Sequence, residues 1–227
     1  MTFVANASGI AREVMEAYDH TLVEKFVTII EFLASHPHMA ITLKGTKAPA
    51  IGSVEYIDRL AKSFVNERGP RAPKEPSTVP DAMVSVILVS YFNINQDDAE
   101  RIKREHLLSM GAENMVGHLL ERYLASVLEP RGWVWCSGSI VKSVDFIKPS
   151  IEKNGIPKLI QVKNRDNSEN SSSSAVRLGT PIEKWHRSFS RREETNWGAF
   201  PDIELRKLLN ESGFKKFVEN YLHERLQ

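Results

Sequence analysis

The sequence predicts an α/β fold of the α+β kind, an all-helical front of about 110 residues followed by a mixed half of strands and helices. Three observations carry this. Apolar residues recur at helical spacing through the front. After residue 110, short apolar runs rich in Val, Ile and Trp appear between turn residues. Positive charge, nearly balanced overall, concentrates in one stretch of the back half.

Apolar positions 10, 14, 18, 22, 26 and 30, joined by 29 and 33, make residues 9–34 one long amphipathic helix or two in series. Pro and Gly in "HPHMAITLKGTKAPAIGS" (36–53) end it, and "VEYIDRLAKSFV" (54–65) forms the next helix. Residues 66–80 hold four prolines and read as a connector or extended arm. A buried helix (81–92) opens on Pro80-Asp81, and a charged helix follows at 95–110. In "GAENMVGHLLERYLASVLEPRGW", Met115, Leu119, Leu120, Tyr123, Leu124, Val127 and Leu128 share a helical face closed by Pro130 and Gly132. "WVWCSGSIVKSVDFI" (133–147) gives two short strands meeting near Ser137-Gly138, and "PKLIQVKN" (157–164) a third after a turn at 155–157. "AVRLGTPIEKW" reads as strand, turn and helix, with Trp185 and Phe189 four apart on the packed side of "KWHRSFSRR" (184–192). A last helix opens at Asp202. The expected division is a helical region, 1–110, packed on a core, 111–227, or one continuous domain.

At 227 residues the chain can bury a real core. The start lacks a basic segment followed by an apolar one, and the longest apolar stretch, 82–92, is too short to span a bilayer. One cysteine, Cys136, excludes an internal disulfide framework and a multi-cysteine zinc site. A cytoplasmic protein is expected. No nucleophile elbow, Walker loop or dinucleotide fingerprint occurs. Net charge is +1, yet residues 158–192 hold eight Lys/Arg against three acids. That suits a focused polyanion-binding surface, with a solvated charged face as the alternative.

One constellation has chemical logic. A divalent cation needs oxygens converging from different backbone segments. Gln161 and Lys163 lie two apart on a strand and share a face; the Val162 carbonyl adds a backbone oxygen, and Asp145 on the neighbouring strand a charge. Lys163 would favour deprotonation of an attacking water and offset charge on a phosphorane-like transition state. Taken singly, Asp145 is a turn acid, Gln161 an edge-strand polar residue, Lys163 an edge-protecting lysine and Glu121 a helix surface charge. Their order and spacing favour the joint reading.

That arrangement resembles the PD-(D/E)xK nuclease core, a central mixed β-sheet flanked by helices, with Asp145, Gln161 and Lys163 in the signature positions and Glu121 as the preceding helical acid. Gln in place of the second acid is a departure that Mrr-type members share. "QVKNRDNSENSSSSAVR", with "KWHRS" and "NW" downstream, is similar to the SinI-type restriction endonucleases. The resemblance implies Mg2+-dependent cleavage of double-stranded DNA at GG(A/T)CC, a homodimer, and a separate methyltransferase protecting the same site. It makes Asp145, Gln161 and Val162 the metal ligands. A catalytically dead DNA-binding protein and a Mrr-like or repair nuclease stay open as alternatives. The polar tail after Lys163 carries side chains suited to base edges: Asn164, Arg165, Asn167, Glu169, Asn170, Ser171 and Arg177. Lys184, Arg187 and Arg191 are expected on phosphates.

Overall fold

The computed structural model describes residues 2–74, 76–150, 152, 155–166 and 180–224. Its helices are α1 (Ala7–Tyr18), α2 (Val23–Ser35), α3 (Val54–Arg68), α4 (Ala82–Ser90), α5 (Gln96–Leu128) and α6 (Glu211–His223). Its strands are β1 (Val134–Trp135), β2 (Phe146–Lys148), β3 (Lys158–Arg165) and β4 (Ile182–Ser188). The four strands lie in chain order, β1–β2–β3 antiparallel and β3–β4 parallel. The sheet is mixed and the fold α+β, as the sequence predicts.

Strand alternation sends Leu159, Gln161 and Lys163 to one face and Ile160 and Val162 to the other. Leu159, Val134, Ile147 and Ile182 pack with α1, α2 and α3 in one apolar cluster. Ile160, Val162, Trp135, Phe146 and Trp185 pack with α5 and α6 in a second. The front helices therefore cover one face of the sheet directly. No helix among the described residues is long and apolar enough to cross a membrane.

Local chemistry accounts for most boundaries. The Asp19 carboxylate accepts the Thr21 N–H at 2.9 Å, so the long amphipathic run becomes two helices. Asp81 caps α4 at the Met83 N–H, 2.8 Å, as a helix start should. Several expectations fail. The runs 95–110 and 111–128 form one helix, because the change at 110 alters what α5 packs on and does not interrupt its hydrogen bonds. Residues 184–188 are strand: the side of β3 not taken by β2 offers a parallel ladder, and that pairing overrides the helical spacing of Trp185 and Phe189. Asp202 opens no helix; it is buried, accepting from Trp133 Nε1 at 3.3 Å, and Asn210 caps α6 instead. Finally α4 is exposed, with Met83, Val86 and Ile87 in solvent.

The helical layer is locked to the sheet at the end of α3. Arg68 grips Glu129 through both terminal guanidinium nitrogens, at 2.6 and 3.2 Å, and donates to the Trp135 carbonyl at 2.9 Å and, from Nε, to Ser137 Oγ at 3.0 Å. Lys25 reaches the same carboxylate at 2.7 Å. Gly138, at φ +80°, lets the turn after β1 press on α3; a Cβ there would stand 2.7 Å from the Ser63 carbonyl oxygen. Removing one partner of a buried pair strands the other. Arg68→Ala is accordingly expected to cost on the order of 3 kcal/mol in denaturant unfolding. A loss below about 1 kcal/mol, the range of exposed pairs, would contradict this reading of the junction.

Candidate active site

β2 pairs with β3 only through Phe146–Lys148 and Lys158–Ile160, while β3 runs on to Arg165 beside β4. The two strands thus fork, and Asp145 stands in the fork. Its N–H donates to the Ile160 carbonyl at 2.8 Å, and its Oδ2 accepts the Val162 N–H at 2.7 Å. Cys136 N–H donates to the Asp145 carbonyl at 2.8 Å. Asp145 lies on the bend entering β2, not on the strand itself. A residue's N–H and C=O leave a strand on the same edge, so the Val162 carbonyl also points into the fork.

Gln161 is 2 % exposed. At Gln161 and Lys163, β3 is paired with β4 on one side, while its other side, beyond the reach of β2, is held by Asp145. Glu121 comes from α5, where Trp135 Nε1 donates to its Oε2 at 2.9 Å. Burial, then the nearby Asp145 carboxylate, pushes Glu121 up to about 8. Burial raises Asp145 to about 6 against the opposing pull of the Val162 N–H and Lys163. Lys163 also lowers Glu121, so the helical acid, the fork acid and the lysine share one electrostatic site. Among the described residues no group of three or more His, Cys, Asp or Glu side chains could hold a metal ion. The carboxylates of Asp145 and Glu121 and the Val162 carbonyl at the fork are oxygen donors, the kind that suits a hard cation.

Three residues escaped the sequence reading. Glu67, at the end of α3, is close enough to raise Glu121 further. His118, one turn before Glu121's neighbour Arg122, contacts Glu67 Oε1 through Nδ1 at 3.0 Å, and Arg122 Nε donates to His118 Nε2 at 2.6 Å. Burial and Arg122 keep His118 below its ordinary range. A cavity of about 800 Å3 opens beside them, lined by Asn66, Arg71, Lys74 and Asn114. The spacing of His118 and Arg122 on one helical face was a signal; nothing in the sequence tied Glu67 to them.

On the far side of the site, Asn164 accepts from Arg187 Nε at 3.0 Å, and Arg187 pairs with Glu211 and lies over the Phe214 ring at 5.3 Å. That network joins β3 and β4 to α6, which gives Arg187 a structural duty the sequence did not suggest. Arg165 and Arg191 are exposed and line one concavity with Arg192. Lys184 stands on β4 opposite Gln161. Asn167, Glu169, Asn170, Ser171 and Arg177 lie outside the described residues.

Two acids and a lysine thus meet beside a small mixed sheet, and comparison with known proteins gives the class, the restriction endonucleases. Residues 7–224 match the family model of the SinI restriction endonuclease. The chain is 51% identical over 222 residues to the type II restriction enzyme Eco47I of Escherichia coli, covering 97% of this chain and 96% of that one. It is 49% identical over 221 residues to the type II restriction enzyme SinI of Salmonella infantis, with the same coverage, 97% and 96%. The chain belongs to the SinI restriction endonuclease family.

Elevated carboxyl groups have a consequence for stability. A carboxyl raised in the folded state favours folding while protonated, and that contribution is lost as pH rises from its unfolded value through about 8 for Glu121. Without divalent cations, Glu121→Gln should therefore melt above wild type at pH 9 and alongside it at pH 5. Each kcal/mol relieved is worth roughly 2–4 °C in a chain of this size. Parallel melting curves across that pH span would remove Glu121 from a buried, charge-repelled position.

Proposed function

We propose that the chain is a type II site-specific deoxyribonuclease that hydrolyses double-stranded DNA with Mg2+. The observation that carries this is Asp145 in the fork, with Glu121 and Lys163 electrostatically linked to it. Two relatives that match nearly end to end bear the name of type II restriction enzymes, which supports the same reading. By family resemblance the target is a short, near-palindromic GG(A/T)CC-like sequence cut by a homodimer, with a cognate methyltransferase as a separate partner in the cytoplasm. We read the helical region as packed on the nuclease core in one continuous domain.

Asp145, Glu121, the Val162 carbonyl and the Gln161 amide oxygen are the residues that would hold Mg2+. A bound Mg2+ supplies charge neutralisation at the scissile phosphate and makes water more acidic. The protein's own residues do the rest. Lys163, on the Gln161 face of β3, offsets charge that develops on the phosphate oxygens and favours the deprotonated form of the attacking water. Glu121, raised to about 8 chiefly by burial, would give up its proton to serve as a ligand, so metal binding is expected to strengthen with pH. Gln161 leaves the site one negative charge short of a three-acid set, which places more of the cation's attraction on the two carboxylates. Arg165 and Arg191 flank the end of β3, where a duplex entering the fork would run, and Lys184 accompanies it on β4.

Asp145→Ala and Lys163→Ala are each expected to abolish plasmid cleavage while specific binding to duplex persists. Removing one such stabilising group typically costs about 2.7–4 kcal/mol, or at least about a hundredfold in rate. Cleavage above about a tenth of wild type by either variant would contradict the assignment. Specific binding without cleavage by the wild-type chain would instead make it a catalytically dead reader of DNA.

A further inference from the structure

The hairpin of α4 and the first half of α5 stands outside both apolar clusters, neither of which contains a described residue between 69 and 114. α4, "AMVSVILVS", is apolar all round, and such a helix is ordinarily buried. Here its amphipathicity is inverted. The buried residue is Ser85, which donates to Glu100 at 2.7 Å and accepts from Lys103 at 2.8 Å. Leu88 and Val89 are half-buried, while Met83, Val84, Val86 and Ile87 face solvent and Tyr91 and Phe92 continue the surface, 79% and 60% exposed. Tyr91 and Phe92 stack edge to face at 5.0 Å and form a ready aromatic knob.

We propose that this face is the surface through which two copies of the chain associate, α4 packing against its own two-fold mate. The six side chains expose on the order of 700 Å2, above the largest patch of a typical monomer and near the roughly 800 Å2 that each partner contributes to a standard interface. A two-fold contact must be self-complementary, and an uncharged apolar helix meets itself without like-charge repulsion. The chemistry of the segment disfavours other occupants. The face itself, residues 82–96, holds no charged residue, and nearby in the hairpin Arg101 and Lys103 are paired with Asp98 and Glu100. DNA would need cations there, and so would an anionic bilayer surface. The proposal rests on the endonuclease reading in one respect: cutting both strands of a near-palindromic site calls for two equivalent sites. α5 connects the two functions, because one rigid helix carries the hairpin at its start and Glu121 near its end.

Sedimentation of the full chain tests this. Wild type should run at twice 25.7 kDa at micromolar concentration. Ile87→Glu with Phe92→Glu should weaken self-association by about a hundredfold or more, with unchanged circular dichroism, since both residues are exposed in the single chain. A second measurement guards against misfolding. Cys136 is buried, so a thiol reagent reports on an added cysteine. Ile87→Cys should be protected at high protein concentration and reactive on dilution, while Ile203→Cys, at a position 71% exposed elsewhere, should react equally at both. A monomeric wild type, an unshifted double variant, or concentration-independent labelling at 87 would each overturn the proposal. A dimer that responds to these changes but never cleaves DNA would sink the endonuclease reading and leave the surface standing. Cleavage by a dimer indifferent to them would do the reverse.

Discussion

The site is organised around one backbone N–H. Where β3 leaves β2, the Val162 amide has lost its strand partner, and a buried donor left unmade costs on the order of 1–3 kcal/mol. The Asp145 carboxylate fills that role at 2.7 Å. A side chain thereby does what a strand would otherwise do, and in doing so fixes an acid at the point where the sheet opens. The neighbouring geometry follows. The second carboxylate oxygen, the Val162 carbonyl and the Lys163 face of β3 are brought to the same fork, and Glu121 is steered to it by the Trp135 indole.

The helical front half does more than cover the sheet. Adjacent residues at the end of α3 have opposite tasks. Arg68 turns to Glu129 and Trp135 and bolts the helical layer to the core. Glu67 turns to His118 and adds its field to Glu121. Trp135 connects the two, lying 5.1 Å from the Arg68 guanidinium while donating to Glu121. A shift of α3 would therefore disturb both the junction and the charge of the site, which couples the stability of the first helices to the acids that would bind metal.

Much of this was legible because it is local. Gln161 and Lys163 share a face by strand alternation alone, and Glu121 precedes Gly132-Trp133 on a helix whose apolar stripe is evident. The order of elements around Asp145 was readable too. What escaped depends on tertiary pairing. Trp185 and Phe189 have helical spacing, yet the exposed edge of β3 draws residues 182–188 into a parallel strand. Asp202 looks like a helix start, but the indole of Trp133, distant in sequence, claims it. Glu67 could not be assigned to the site, since only the tertiary bonds from the end of α3 to His118 and Arg122 bring it near. The apolar run of α4 predicted burial; within one chain the structure leaves it exposed.

The most direct measurement is a crystal structure of the chain with a cognate duplex and Ca2+ in place of Mg2+. A cation within about 2.3–2.6 Å of the Asp145 carboxylate and the Val162 carbonyl, with a backbone phosphate beside Lys163, is the predicted result. A duplex seated away from the β2–β3 fork, or a cation bound without Asp145, would contradict the account.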